Sequence, residues 1–317
     1  MFKSLSRVHI ATVSSVLAVL AILVVVFAFN EPSSAGKSKP EASISENIPT
    51  LTFGVYTSDK PSEMYKKFKP MLRYIEDEIA TRIEDSPQIK LVIYKTYELA
   101  LEAFINGEVD FVRFGPASYV IAKDRNPEVR LLAIEENKGK RRFNGIILVR
   151  EDSSFNSLND LSGSSFAFGD ENSTIGRYLS QAELVEAGLT VTDLESYDYL
   201  GRHDRVVAAV LHGKYDAGAA KESTFAKYRE KGLRALRSFD NVTKPWVARG
   251  NIAEDHFIAL QDVLLNTSNP EILKTFSKSL SGFAPCEDSE YDFVREGMER
   301  SSMFFPNSLE NKAADTP

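Results

Sequence analysis

From Leu51 onward, short apolar runs alternate with stretches whose apolar residues recur at helical spacing, and this alternation limits the folds open to the chain more than any other feature. The runs LTFGVY (51–56), IKLVIY (89–94) and DFVRFG (110–115) predict strands, with further strands at 130–134, 144–149, 165–169, 196–200 and 216–220. Between the first two, Met64, Phe68, Met71, Leu72, Ile75 and Ile79 form one helical stripe. Asp59 is its expected N-cap, Pro61 falls in the first turn where a missing N–H costs nothing, and Glu63 lies near the positive end of the dipole. Pro70 interrupts the stripe and predicts a kink or a restart. A second helix over 97–106 turns Leu101, Phe104 and Ile105 inward and stops at Gly107. Alternation of this kind implies parallel sheets with crossover helices, the α/β class.

One internal echo extends the argument. EAFINGEVDFVRFG (102–115) and AAVLHGKYDAGAAK (208–221) share a plan of amphipathic helix, glycine, two residues, aspartate and strand. The common G-x-x-D falls at Gly107/Asp110 and again at Gly213/Asp216. One supersecondary unit used twice implies two similar α/β lobes. At 317 residues the chain exceeds one average domain and falls short of three.

Composition removes several function classes. A hydrophobic fraction of 43% with 26% charged residues fits a packed protein and not a disordered or coiled-coil chain. The net charge of −7 argues against a nucleic-acid partner, which needs a basic footprint, yet leaves room for a small anion held by locally concentrated donors. Cys286 is the lone cysteine and forms no intramolecular disulfide. The histidines (His9, His203, His212, His256) do not cluster and no CxxC pair exists, so neither a metal site nor a cofactor is expected.

Val8 to Phe29 is an uncharged run of 22 residues. About 20 apolar residues span a bilayer, whereas the apolar core of a cleavable signal is roughly 7–15. Residues 1–29 are therefore expected to be a retained membrane anchor, with Lys3 and Arg7 on the cytoplasmic side. The alternative is cleavage near Ser33-Ser34-Ala35-Gly36, which leaves the protein free in the periplasm. The Ser-, Pro-, Lys- and Glu-rich segment 30–49 reads as a tether, and 307–317 as a frayed tail.

Three predicted helix starts carry the candidate chemistry. In SFAFGDENSTIGRYLSQAELVEAG (165–188), a strand and a short polar loop lead to Ser173 and Thr174 at the start of a helix over 175–187. Free backbone N–H groups and the positive dipole end attract anions there, and two adjacent hydroxyls add donors; simple capping is the plainer alternative. In YDYLGRHDRVVAAVLHG (197–213), His203 and Asp204 open a helix beside Arg202, and His203 is placed either to donate to an oxyanion or to lie in an ordinary surface turn. In Gly115-Pro116-Ala117-Ser118-Tyr119, Pro116 suits a first helical turn and Ser118 brings a third donor set. Ligands of α/β proteins sit beyond the carboxyl ends of the strands, where these starts converge. The loops hold no carboxylate pair, activated nucleophile or metal cluster, which favours binding over catalysis.

These segments resemble the phosphate/phosphite/phosphonate-binding family of ABC-transporter periplasmic proteins, from about Leu51 to about Met303. The resemblance rests on Gly115-Pro116-Ala117-Ser118-Tyr119, Ser157-Leu158-Asn159-Asp160-Leu161-Ser162-Gly163, Ser173-Thr174-Ile175-Gly176, His203-Asp204 and the run from Gly213 to Gly218. It implies a bilobal periplasmic-binding-protein fold of type II, with lobe one at 50–148 plus 241–306 and lobe two at 149–240. It also implies a small oxyanion (phosphonate, phosphite or phosphate) and, as partners, an ABC permease and ATPase. Ser173, Thr174 and His203 are carried over as oxyanion ligands, Ser118 and Tyr119 as residues of the facing lobe, and Tyr56 as a wall. Ile175 stands where the family has a hydroxyl, Gly176 completes that loop, and Arg177 and Arg202 bring extra charge. Glu222 is open to two roles, contact with a ligand amino group or a hinge. KGKRR (138–142) reads as a solvated hairpin tip. The rival functions are a tethered sensor that signals through a separate partner, and an enzyme acting on a small phosphorylated compound.

Overall fold

A computed structural model describes residues 48–306. The expected anchor at 1–29, nearly all of the 30–49 tether and the 307–317 tail lie outside the described residues. Among the described residues no helix is long and apolar enough to cross a membrane.

The central parallel strands of the first sheet are short and buried, as strands covered by helices must be. β1 (Thr50–Tyr56), β2 (Gln88–Tyr94) and β3 (Phe111–Arg113) pair in parallel with β1 in the centre. α1 (Pro61–Ile79) and α2 (Tyr97–Ile105) are their crossovers, and α3 (Pro116–Arg125) leads on to β4 (Arg130–Asn137). The chain then leaves this sheet and builds a second. It holds β5 (Arg142–Arg150), β6 (Ser165–Phe168), β7 (Ser196–Tyr199), β8 (Ala217–Lys221) and β9 (Leu233–Val242) in the order β7-β6-β8-β5-β9. A helix over 174–186 follows β6; its first turn, Thr174–Tyr178, is wide, and the rest is α4 (Leu179–Glu186). α5 (His203–Leu211) joins β7 to β8, and the single turn α6 (Glu222–Phe225) follows β8. The chain returns at Thr243 and Lys244 to add β10 (Pro245–Ala248) and, after α7 (Glu254–Leu265) and α8 (Pro270–Phe276), β11 (Leu280–Ala284). The first sheet thus reads β11-β4-β10-β3-β1-β2, with β10 and β11 antiparallel to their neighbours. α9 (Asp292–Ser302) packs against both α3 and α4, and a Cβ on Gly297 would lie 2.3 Å from the Leu179 side chain.

The α/β reading is thereby observed, and each sheet has its own core. Trp246, Phe53, Phe68 and Phe111 pack together in the first, with the Trp246 and Phe53 rings stacked 5.1 Å apart. Phe166, Phe168, Ile147 and Leu184 centre the second. Burying each such side chain is worth about 1.5–3 kcal/mol.

Several local expectations are corrected. α1 runs unbroken through Pro70, and the Lys66 carbonyl that loses its donor belongs to an exposed residue. Lys60 occupies the N-cap position of α1 without a side-chain bond, and the Asp59 carboxylate reaches Lys221 at the end of β8. The segment 138–141 does form an exposed hairpin turn, closed by the Asn137–Lys140 bridge with Lys138 and Gly139 in left-handed conformations, and it also carries the chain from one sheet to the other. β5, which the sequence reading divides at residue 148, hydrogen-bonds wholly within the second sheet.

Candidate ligand-binding site

The carboxyl ends of β1, β2 and β3 face those of β6, β7 and β8, and a cavity lies between them. Tyr56, Ser58, Tyr97, Gly115 and Pro116 line it from the first sheet, and Phe143, Ser173, Thr174, Ile175, His203, Lys221 and Asn241 from the second, with Lys244 from the connection. Four helix starts, those of α2, α3, the 174–186 helix and α5, meet here. The first N–H groups of each helix have no intrahelical acceptor, so the cavity gathers backbone donors and positive dipole ends.

On the first-sheet side the polar groups satisfy one another. Tyr56 ends β1, and its ring stacks on Tyr97 at 3.5 Å. Its hydroxyl accepts from the Gly115 N–H at 2.5 Å and pairs with Ser118 Oγ at 3.2 Å. Burial pushes the Tyr56 phenol up to about 12, so it stays protonated. A Cβ on residue 115 would come within 2.8 Å of that hydroxyl, which is why a glycine stands before α3.

On the second-sheet side Ser173 is the N-cap of the 174–186 helix and accepts from the Gly176 N–H at 3.0 Å. The wide first turn carries Tyr178 N–H back to the Ser173 carbonyl and Leu179 N–H to that of Thr174. Gly169 and Gly176 approach so closely that a Cβ on residue 176 would stand 2.7 Å from the Gly169 Cα. Thr174 Oγ1 accepts from the Ala117 N–H at 2.9 Å, a direct bond from one half to the other. Asn172 Nδ2 donates to Glu98 at 2.7 Å across the same seam.

Two lining side chains carry buried polar atoms with no hydrogen-bond partner. Asn241 is fully buried at the end of β9 with both amide atoms unbonded. His203, the first residue of α5, is 6% exposed and its Nδ1 is unbonded. Burial, and after it the charge of Lys221, pushes His203 down to about 3, so the imidazole is neutral near pH 7 and offers one donor and one acceptor. An unbonded buried polar group costs about 1–3 kcal/mol, and such groups are rare outside functional sites. His203 and Asn241 both line one cavity, while the other unbonded buried side-chain atoms among the described residues, on Thr224, Thr243 and Tyr291, do not, and this makes the cavity the candidate ligand site.

The sequence-predicted residues divide. Ser173, Thr174, Ile175, His203 and Tyr56 line the cavity, and Ser118 supports Tyr56 from behind. Gly176 shapes the turn through its contact with Gly169. Tyr119 points elsewhere: its hydroxyl donates to Asp288 at 2.7 Å and its ring packs on Tyr291. Arg177 bonds the Glu171 carbonyl and lies over Tyr178 and Tyr199, in a separate surface groove. Arg202 and Asp204 neutralise each other at 2.9 Å. Glu222 is exposed and does not line the cavity. The positive charge at the site comes instead from Lys221 and Lys244, which sequence reasoning missed together with Tyr97, Ser58, Phe143 and Asn241. Lys221 was findable, because it ends the strand of the second G-x-x-D unit, where ligand groups are expected. Among the described residues no group of His, Cys, Asp and Glu could hold a metal ion.

The family model for the ABC transporter, phosphonate, periplasmic substrate-binding protein matches residues 53–291. The phosphate-import protein PhnD of Mycolicibacterium smegmatis is 27% identical over 234 residues, 70% of this chain and 68% of the relative. A probable ABC transporter phosphite binding protein, PhnD1, of Prochlorococcus marinus is 25% identical over 274 residues, covering 79% and 89%. The solved structure of PhnD1 from Prochlorococcus marinus in complex with methylphosphonate superposes with a TM-score of 0.71 at 24% identity, over 80% of this chain and 98% of that one. A binding protein component of an ABC phosphonate transporter from Pseudomonas aeruginosa gives 0.71 at 17% identity, over 81% and 88%. The fold is the α/β periplasmic-binding-protein fold.

Proposed function

The chain belongs to the phosphonate family of ABC-transporter periplasmic substrate-binding proteins, and from that premise we propose that it holds a small phosphorus oxyanion (phosphonate, phosphite or phosphate) between two lobes of type II arrangement. The observation that carries the reading is the cavity where helix starts converge on Ser173, Thr174, His203 and Asn241, the last two with buried polar atoms left unbonded. Oxyanion oxygens supply acceptors for the backbone N–H groups, the hydroxyls, the imidazole and the Asn241 amide. In this proposal the lobes exchange chain at 138–141 and at Thr243–Lys244, and a permease and ATPase receive the closed, loaded form. Val8 to Phe29 tethers the protein outside the cytoplasm, so it stays with membranes through a carbonate wash; a mature N-terminus near Gly36 overturns the tether.

The site is tested with Ser173→Ala, Thr174→Ala and His203→Ala, measuring both dissociation constant and thermal midpoint against phosphate, phosphite and methylphosphonate. Each loses about 1.5–3 kcal/mol of binding, the range for a hydrogen bond to a charged group, or roughly one to two decades in affinity. Variants that lose stability but keep wild-type affinity reduce Ser173 to the helix cap it visibly is and overturn the assignment.

A further inference from the structure

We infer that the cavity selects its ligand by charge: the anion it holds carries two negative charges and no ammonium group, because lysines, and not a carboxylate, line the cavity beside the hydroxyls. This rests on the oxyanion reading above and narrows it to a chemical class.

The charges around the inner wall do not balance. Lys67, Arg113, Lys221 and Lys244 act on one another, and the carboxylates among them are Glu135 and Asp59. Both carboxylates are already committed. Glu135 receives Arg113 at 2.5 and 2.8 Å and the Trp246 indole N–H at 3.2 Å, while Asp59 receives Lys221. Lys244 and Lys67 are left with aromatic faces as partners, Phe143 at 4.5 Å and Phe276 at 4.2 Å. With Lys67 and Lys244 protonated, the form an arriving anion favours, four cations against two carboxylates leave an excess of two positive charges beside the cavity. Asn241 lies on the same wall, fully buried, with both amide atoms unbonded.

Burial, and then Arg113 and Lys221, push Lys244 down to about 7, and burial with the same neighbours pushes Lys67 well below its ordinary value. Both groups gain from an arriving anion. An ammonium on the ligand would meet like charge, and no carboxylate is placed to receive it. Glu222 is exposed and does not line the cavity, and Asp170, near Tyr56, already accepts backbone N–H groups from Asn172 and Tyr97.

The test is calorimetric titration of the full chain with phosphate, methylphosphonate and 2-aminoethylphosphonate at about pH 8, above the second ionisation of a phosphoryl group. Wild type is expected to bind methylphosphonate at least about tenfold more tightly than 2-aminoethylphosphonate. Lys244→Gln weakens methylphosphonate about tenfold and narrows the gap between the two ligands, while the ligand-free thermal midpoint holds or rises. Lys67→Met, which removes the second uncompensated cation, shifts the ratio in the same direction and serves where Lys244→Gln fails to fold. Equal or tighter binding of 2-aminoethylphosphonate by wild type overturns the charge selection, as does an unchanged ratio in the variants. Silence of all three ligands overturns the oxyanion reading itself, and the selection with it.

Discussion

In the first sheet Asp110 ties β3 to β1: its carboxylate accepts from the Thr52 N–H at 2.6 Å and its own N–H reaches the Thr52 carbonyl at 2.9 Å. In the second sheet Asp216 ties β8 to β6, accepting from the Ser165 N–H at 2.9 Å while its N–H reaches the Ser165 carbonyl at 3.1 Å. The two halves therefore share a clamp at the amino ends of their parallel strands. At the carboxyl ends they part. The first half closes its polar groups on themselves, as in Tyr56 with Gly115 and Ser118 and in Arg113 with Glu135. The second leaves His203 and Asn241 unbonded and brings Lys221 to the cavity. The shared end sets register; the divergent end reads a ligand.

The sharpest way to break this comparison is Glu135→Ala, which strands the buried guanidinium of Arg113, 8% exposed. Removing one partner of a buried pair costs about 3–5 kcal/mol, and urea denaturation is expected to show a loss of that size. A loss near that of a surface substitution would mean the first half is not held by internal pairing.

The clamps come next. Asp110→Ala and Asp216→Ala are each expected to cost about 1.5–3 kcal/mol, since each ends hydrogen bonds to a charged acceptor. Asp110→Ala is the costlier because Arg249, 2.8 Å away, loses its partner too. If either variant melts like wild type, the clamp is not shared.

The most gradual effect is a slope with pH. His203 has a folded value of about 3 against an ordinary 6.5, so the unfolded chain binds the extra proton between those values. The His203 contribution is flat above 6.5 and falls as pH drops toward 3, by up to about 1.4 kcal/mol per pH unit. Burial alone would raise Glu135, but Arg113 more than offsets it and holds the carboxyl at about 2 against an ordinary 4.5. Its contribution is full above 4.5 and is lost as pH falls through 2. Between pH 6.5 and 4.5 the fall is expected to belong to the second half, and His203→Gln should flatten it in a denaturation series.

The sequence disclosed the elements whose chemistry is local. Short runs bounded by turn signals mark strands, whether they pair in parallel or, like β4 and β5, antiparallel, and β1 through β8 were found in this way. The returning strands were not. β9 mixes Arg234, Arg237 and Asp240 with its buried residues, β10 has four residues and opens on Pro245, and β11 is broken by Gly282. The hydroxyls at 173 and 174 were legible because a polar loop before an amphipathic helix announces a helix start. The lysines of the cavity were not, because Lys221 and Lys244 meet only when the end of β8 and the second crossing are brought together. In the sequence they look no different from Arg177, which the fold turns to the Glu171 backbone carbonyl and two tyrosine rings, and Arg202, which it pairs with Asp204.

The second crossing also has a meaning in time. β4 ends at Asn137, and both of its neighbours, β10 and β11, are synthesised after the whole second sheet, about 110 residues later. At ordinary elongation rates that interval is roughly 5–20 s. During it a strand carrying Leu132, Ala133 and Ile134 has no partner to pair with, while 142–242 already contains every strand of its own sheet. Pairings so distant along the chain form slowly. The half that is written first is finished last.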